Sequence, residues 1–371
     1  MGNDNIATFS ERLRHLDRWA LASGVALFML GLLSIFSATY GRSEGFVLRQ
    51  IFSGGLAAVG YGGAIALGHD RLLRWAYAIF GVTVSILALV LALGTMVKGA
   101  QSWFALGPLR LQPSEMGKVA LALALGKHFC RYPPLTFKTF AYDLLLPLVG
   151  GVLVLLQPDL GSALVYGVMT LGALVVAGAP KRFLAGLFGA GLLALPVGWS
   201  LLKDYQKLRL LVFLDPQIDP LGAGYNVIQS RIAVGAGGLW GKGFLEGTQS
   251  KLRFLPEPHT DFIFSVYAEE FGFVGGVLLL VLFGILLWRI FGAGMRSKDL
   301  RCKVLAGALG SWIWFQVVEC VAMSMGYAPV TGLPMPLFSY GGSALLAVGV
   351  GLGIVQSIHL DTLRPYQESE K

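Results

Sequence analysis

Charge is what this chain has least of: 13% of its 371 residues are Asp, Glu, Lys or Arg, while 55% are hydrophobic. A water-soluble domain of ordinary make-up carries about 25% charged residues, so that class is excluded. Cysteine is scarce too. Cys130, Cys302 and Cys320 fall at or inside apolar runs with no paired spacing, which removes both a disulfide framework and a zinc site. No small-residue cleavage site with polar sequence after it follows the first apolar run, and residues 46–67 are apolar again. The first run therefore reads as a retained anchor, not a removed leader. No repeat of fixed period, no soluble domain and no linker is evident, so residues 1–371 read as a single membrane domain.

What the chain has in abundance is apolar length. About 20 mostly apolar residues in a helix cross a hydrocarbon core of roughly 30 Å. The sequence supplies such spans at approximately 19–39, 46–67, 75–96, 114–129, 142–157, 161–178, 183–201, 261–290, 304–327 and 341–359. These runs are continuous, whereas barrel strands would alternate. The expected fold class is therefore all-α polytopic, with about ten transmembrane helices.

Orientation follows from the basic residues, since short cytoplasmic loops hold the excess of Lys and Arg. One set of connections carries Arg12, Arg14, Arg18, Arg71, Arg74, Lys127, Arg131, Lys138, Lys181, Arg182, Arg289, Arg296, Lys298, Arg301, Lys303, Arg364 and Lys371. The other short loops and their flanks hold Arg42, Arg49, Lys98 and Arg110. Both termini are expected to be cytoplasmic. The net charge of +8 then reflects this bias and contact with anionic membrane lipid, not nucleic acid.

One connection stands apart. About residues 203–260 lie between the seventh and eighth spans, on the extracytoplasmic face by this topology, and loops of such length are functional or disordered. This one keeps apolar side chains in "LRLLVFLD" and "YNVIQSRIAVGAGGLW". It is expected to fold as short amphipathic pieces lying on or dipping into the outer leaflet. Its "GAGGLWGKGF" is not a phosphate loop: Ala236 stands where the first glycine is required, and Gly243 replaces Ser or Thr. The Pro- and Gly-rich segment 324–343 between the last two spans suggests a rigid rim or re-entrant piece.

Charges inside spans cost about 2.5–3.5 kcal/mol each, so each needs a partner or a watery cavity. Glu115 and Lys118 are three apart on one helix and share a face; they form a structural ion pair or line a polar cavity. Asp159, in "QPDLGS", follows a proline and suits a helix N-cap, although a helix head there also attracts phosphate. Asp261 could cap the eighth span. Alternatively, at 100° per residue it overlooks Ser265, Ala268 and Gly272, a small-residue strip that leaves room for something. His259 and Thr260 stand beside it at the membrane edge, and Glu319 is isolated in the ninth span.

Taken together, "KGAQSWFALGPLRLQPSE", "QPDLGS", "DPLGAGYNVIQSRIAVGAGGLWGKG", "GTQSKLRFLPEPHTDFIF" and "PLFSYGGSAL" resemble the SEDS family of bacterial cell-shape, division and sporulation proteins, in order and over nearly the whole chain. The fourth of these strings and the short N-terminal tail are more similar to the elongation branch than to the division branch. Pro258 departs from the larger or basic residue of many relatives. The resemblance implies a peptidoglycan glycosyltransferase of the bacterial inner membrane, polymerising lipid II on the outer face with release of undecaprenyl pyrophosphate, beside a class B penicillin-binding protein. It places the essential acid on Asp261, as general base or as ligand of a divalent cation, Mg or Mn. Glu115, Lys118, Asp159, His259, Thr260 and Ser343 become the supporting or substrate-binding candidates, and no organic cofactor is implied. A transporter of the same lipid precursor, or a scaffold for the penicillin-binding protein, is the rival expectation. Against the transporter, no inverted repeat is evident.

Overall fold

The computed structural model describes residues 15–41, 45–97, 100–106, 109–251, 254–255 and 257–363. Arg12, Arg14, Arg42, Lys98, Arg364 and Lys371 of the orientation argument, and Arg253 of the long connection, lie outside these.

Each predicted span falls on helix. In chain order the helices are α1 (Arg18–Ala38), α2 (Phe46–Leu67), α3 (His69–Arg74), α4 (Ala76–Leu93), α5 (Pro113–Arg131), α6 (Phe137–Asp143), α7 (Leu145–Leu156), α8 (Leu160–Val176) and α9 (Lys181–Leu201). Then come α10 (Asp204–Leu214), α11 (Ala223–Ala236), α12 (Thr248–Lys251), α13 (Ile263–Arg296), α14 (Leu300–Ser324) and α15 (Gly342–Thr362). Among the described residues, 8 helical segments are long and apolar enough to cross a membrane, α6 and α7 counting as one. Two of the predicted spans fall short by that measure for physical reasons: α8 is a 17-residue helix, and α5 carries Glu115, Lys118, Lys127 and Arg131.

α5 is nevertheless the centre of the core. Its residues from Val119 to Leu125 are all buried, clasped by α4, α8, α14 and α15. A helix hidden on every side needs no apolar stripe, which is why it tolerates an ion pair. α15 lies against α2 at backbone distance: a Cβ on Gly349 would stand 2.6 Å from the Ala57 carbonyl oxygen, and one on Gly353 2.4 Å from that of Tyr61. Close approach of this kind, set by small residues, holds helices together where lipid removes the hydrophobic drive.

Two features differ from the all-helical expectation. Between α4 and α5 lies a small antiparallel sheet of β1 (Thr95–Val97), β2 (Ala100–Leu106) and β3 (Leu109–Leu111), ordered β1-β2-β3. Thr95 pairs with Trp103, and Phe104 with Leu111. The sheet delivers the chain to the head of α5. The second feature is a break in α13, where Gly272 has φ 64° and ψ −163°, backbone that favours glycine.

The break explains the glycines of "GAGGLWGKGF". Backbone amides that the break frees need partners, and the segment after α11 supplies them. Phe273 N donates to the Gly238 carbonyl at 2.8 Å and Val274 N to that of Leu239 at 3.1 Å, while Lys242 N reaches the Glu269 carbonyl at 3.0 Å. The buried Glu269 carboxylate accepts from Lys242 Nζ at 2.8 Å, Thr248 N at 2.8 Å and Gln249 N at 3.2 Å. Gly241, at φ 81°, would carry a Cβ 2.1 Å from the Glu270 carbonyl oxygen. Gly241→Ala is therefore expected to cost about 1–3 kcal/mol through strain and overpacking. A fall in the unfolding temperature of the detergent-solubilised chain checks this, and an unchanged one would mean that the stitch is not tight.

The long connection, expected as short amphipathic pieces at the outer leaflet, carries the short helices α10, α11 and α12, and α11 packs on protein. Ser230 Oγ meets Ser265 Oγ at 2.6 Å and donates to the Ser324 carbonyl at 2.7 Å.

Candidate functional site

Asp261 sits in the turn ahead of α13. That helix starts at Ile263 with Phe262 at its N-cap position and no side-chain cap, so the capping alternative is set aside. The helical-strip argument is corrected as well. Asp261 lies outside the helix, and Ser265, Ala268 and Gly272 are buried, the first under α11 and Ala268 under Gly237, whose Cβ would stand 2.0 Å from the Ala268 carbonyl. What faces Asp261 is the other Pro- and Gly-rich segment: a Cβ on Gly332 would lie 3.9 Å from Asp261 Oδ2. The side chain is half-buried, neither sealed among helices nor fully in water.

The turn is held from that same segment. Ser339 Oγ donates to the Thr260 carbonyl at 2.9 Å, and Tyr340 N donates to the His259 carbonyl at 3.0 Å. Gln50 of α2 fastens the segment in turn, donating from Nε2 to the Ser339 carbonyl at 3.1 Å and accepting from Gly341 N at 3.2 Å. His259 is buried, with its ring 4.5 Å from that of Phe46 and 5.5 Å from that of Tyr340. It packs behind the acid, with its Nε2 3.9 Å from Glu257 Oε2. The rim expected from 324–343 is this scaffold.

Asp159 caps α8, accepting from Ser162 N at 3.0 Å on Oδ1. Its Oδ2 accepts from Gln112 Nε2 at 2.9 Å, and Gln112 N donates to Ser343 Oγ at 3.1 Å. Gln112, which sequence reasoning missed, thus ties together the heads of α5, α8 and α15. These heads present the positive ends of helix dipoles. α10 leans over them, Tyr205 Oη donating to the Pro158 carbonyl at 3.2 Å and Arg209 Nη1 to that of Val330 at 3.4 Å. Burial, with Asp159 adding to it and Arg209 opposing it, raises the Tyr205 phenol above its ordinary value, which keeps that donor protonated.

Below the heads, Lys118 Nζ meets Glu115 Oε1 at 2.6 Å, with side-chain exposures of 0% and 2%. The ammonium also lies 5.4 Å from the Trp312 ring centroid. Of the two readings of this pair, the sealed ion pair is the one found. Glu115 Oε2 has no hydrogen-bond partner among the described residues.

Glu319 is not isolated as expected. Its Oε1 accepts from Thr331 Oγ1, next to the Gly332 that faces Asp261, and Asp261 acts on it electrostatically. Trp312, against which Lys118 lies, belongs to the same α14 that carries Glu319, so the buried pair and this acid lean on one helix. No spacing rule joins 118, 261 and 319; only the packing of α5, α13 and α14 does. Among the described residues no group of three or more His, Cys, Asp or Glu side chains gathers that could cage a metal.

A family model described as cell cycle protein, of FtsW, RodA and SpoVE type, matches residues 18–363. The chain is 40% identical over 363 residues to the peptidoglycan glycosyltransferase MrdB of Escherichia coli strain K12, covering 96% of each. It is 33% identical over 365 residues to the probable peptidoglycan glycosyltransferase FtsW of Hydrogenovibrio crunogenus, covering 94% of this chain and 92% of that one. Among solved structures it is similar to a chain from a study of the structural coordination of polymerization and crosslinking by a peptidoglycan synthase complex, at 38% identity and TM-score 0.82, covering 95% of this chain and 99% of that one. Thermus thermophilus rod shape determining protein RodA is similar at 34% identity and TM-score 0.72, with the same coverage of 95% and 99%. The motifs, the helical membrane fold and the match over residues 18–363 agree: the chain belongs to the SEDS family, the cell cycle proteins of FtsW, RodA and SpoVE type.

Proposed function

We propose that this chain is a peptidoglycan glycosyltransferase of the elongation type, polymerising lipid II with the Asp261 carboxylate as the general base. The observation that carries the assignment is the place of that carboxylate, half-buried at the head of a span and beside a second acid, above a sealed ion pair. Sugars in water and lipid tails in the bilayer can meet only at such a boundary.

The step balances on the residues described. Asp261 takes the proton of the acceptor sugar's 4-hydroxyl as that oxygen's electron pair bonds to the donor's anomeric carbon. The bond from that carbon to the pyrophosphate oxygen breaks, its pair leaves with undecaprenyl pyrophosphate, and the configuration inverts. The leaving anion faces the amides at the heads of α5, α8 and α15, with Arg209 alongside, a setting that favours phosphate. A divalent cation, Mg or Mn, would be held by Asp261 together with the substrate's own phosphate oxygens. When bound it supplies charge neutralisation of the leaving group. Glu115 and Lys118 set the field in which the acid works.

By the basic-residue bias, both termini lie in the cytoplasm and Asp261 faces the far side of the cytoplasmic membrane. A class B penicillin-binding protein is the partner that would crosslink the product. The similarity to a chain of a peptidoglycan synthase complex supports this, and unpartnered apolar helix faces such as that of α9 offer docking area. The test is polymerisation of lipid II by the reconstituted pair with the partner's transpeptidase blocked, beside a liposome assay of lipid II flipping. Glycan strands without flipping are expected. Flipping without strands would make the chain a transporter, and neither activity would make it a scaffold.

A further inference from the structure

Between them, α1, α2, α13 and α15 leave a groove of about 300 Å³, whose polar end lies at the end of α13 away from Asp261. Its walls are Gly24, Phe28, Ala57, Ala58, Leu345 and Leu352 among others. One end stops at Leu337, beneath the rim of the candidate site, and the other is polar, bounded by Asp17, Arg289, Gln356 and His359. An apolar trough with one polar end has the shape of an amphiphile.

The polar end has chemistry left over. Arg289 pairs with Asp17, and Gln356 exchanges hydrogen bonds with the Asp17 backbone at 3.2 Å each way. Asp17 is thereby satisfied and neutralised. His359 is 7% exposed, yet its Nδ1 has no hydrogen-bond partner among the described residues. Arg296, exposed at the end of α13, acts electrostatically on that ring along with Arg289, and Arg18 follows Asp17 directly. Against Arg296 and Arg18 stands the exposed Asp361, two residues beyond His359, so the formal surplus at this end is one positive charge, and a buried nitrogen awaits an oxygen.

We propose that this groove binds one anionic phospholipid of the membrane leaflet opposite Asp261, with an acyl chain between α1 and α2 and the phosphate at His359 and Arg296. Charge complementarity selects the occupant. A basic pocket between helices on the side that the topology makes cytoplasmic recognises anionic headgroups, and an empty apolar trough beside lipid would forfeit its dispersion contacts. The site is remote from the sugar chemistry and does not depend on it.

Native mass spectrometry of the purified full chain tests the proposal, with phosphatidylglycerol, phosphatidylcholine of the same acyl chains, and undecaprenyl phosphate offered separately. Phosphatidylglycerol is expected to be retained at least about five-fold better than phosphatidylcholine, and Arg296→Gln to bring the two near parity, the change for about 1 kcal/mol per basic residue near an anionic surface. Ala58→Phe, which fills the groove from its lipid-facing wall, is expected to abolish retention of both, and Val25→Trp on α1 is an independent filler should the first variant fold poorly. Equal retention of the two phospholipids overturns the proposal. So does retention that survives both fillers, or undecaprenyl phosphate held in place of phosphatidylglycerol.

Discussion

Asp261→Asn is expected to lower lipid II polymerisation by about 10²–10⁴-fold, the range a positioned general base contributes, and to leave the unfolding temperature where it was. The two halves of the expectation rest on different observations. Asn keeps the shape of the side chain, so its fit beside the Gly332 backbone, with room there for a Cβ at 3.9 Å, is unchanged. The amide also keeps one acceptor oxygen in place, so the change removes charge without opening a cavity. Asparagine cannot accept the hydroxyl proton, nor can it hold a cation as a carboxylate does. Lipid II consumption and strand length, measured on the purified complex beside thermal unfolding, separate these effects. Full activity in the variant would remove Asp261 from the chemistry, whatever the fold.

The spans were legible because a lipid-facing helix is apolar over its whole length. α2 matches its predicted 46–67 to the residue, and α9, with no buried residue among 181–200, is as clear a run as any. Legibility fails where the chain buries polar groups. Residues 95–97, 100–106 and 109–111 pair as a sheet whose strands are as short as 3 residues, a length at which alternation carries little signal. The break at Gly272 hides inside an apolar run, and only the stitching of 238–243 against it shows why those glycines are needed. For the site, Asp261, Glu115 and Lys118 were readable as charges out of place. Glu319 and Gln112 were not: a lone Glu in a span and a Gln before a proline acquire meaning only when Thr331, Asp159 and Ser343 are brought to them by distant parts of the chain.

Lys118→Met is expected to be the most destabilising single change in the core, at about 3–5 kcal/mol, because it strands a charge without its partner. Glu115 is 2% exposed and Lys118 0%, and the ammonium at 2.6 Å is the only hydrogen-bond donor that the described residues bring to the Glu115 carboxylate. Methionine fills similar volume beside Trp312, so cavity formation adds little and the loss is electrostatic. The doubly changed chain, Lys118→Met with Glu115→Gln, should regain most of the unfolding temperature, since replacing both members of a buried pair by groups of like shape is near neutral. Polymerisation should not return with it. The pair lies in the first turns of α5, whose head Gln112 ties to Asp159 and Ser343; on the proposed function its charges set the field at that end, and a neutral pair cannot. A double-mutant cycle read in both unfolding temperature and turnover therefore divides the roles. Recovery of stability alone assigns the pair to the chemistry of the site, whereas recovery of both would reduce it to an internal strut.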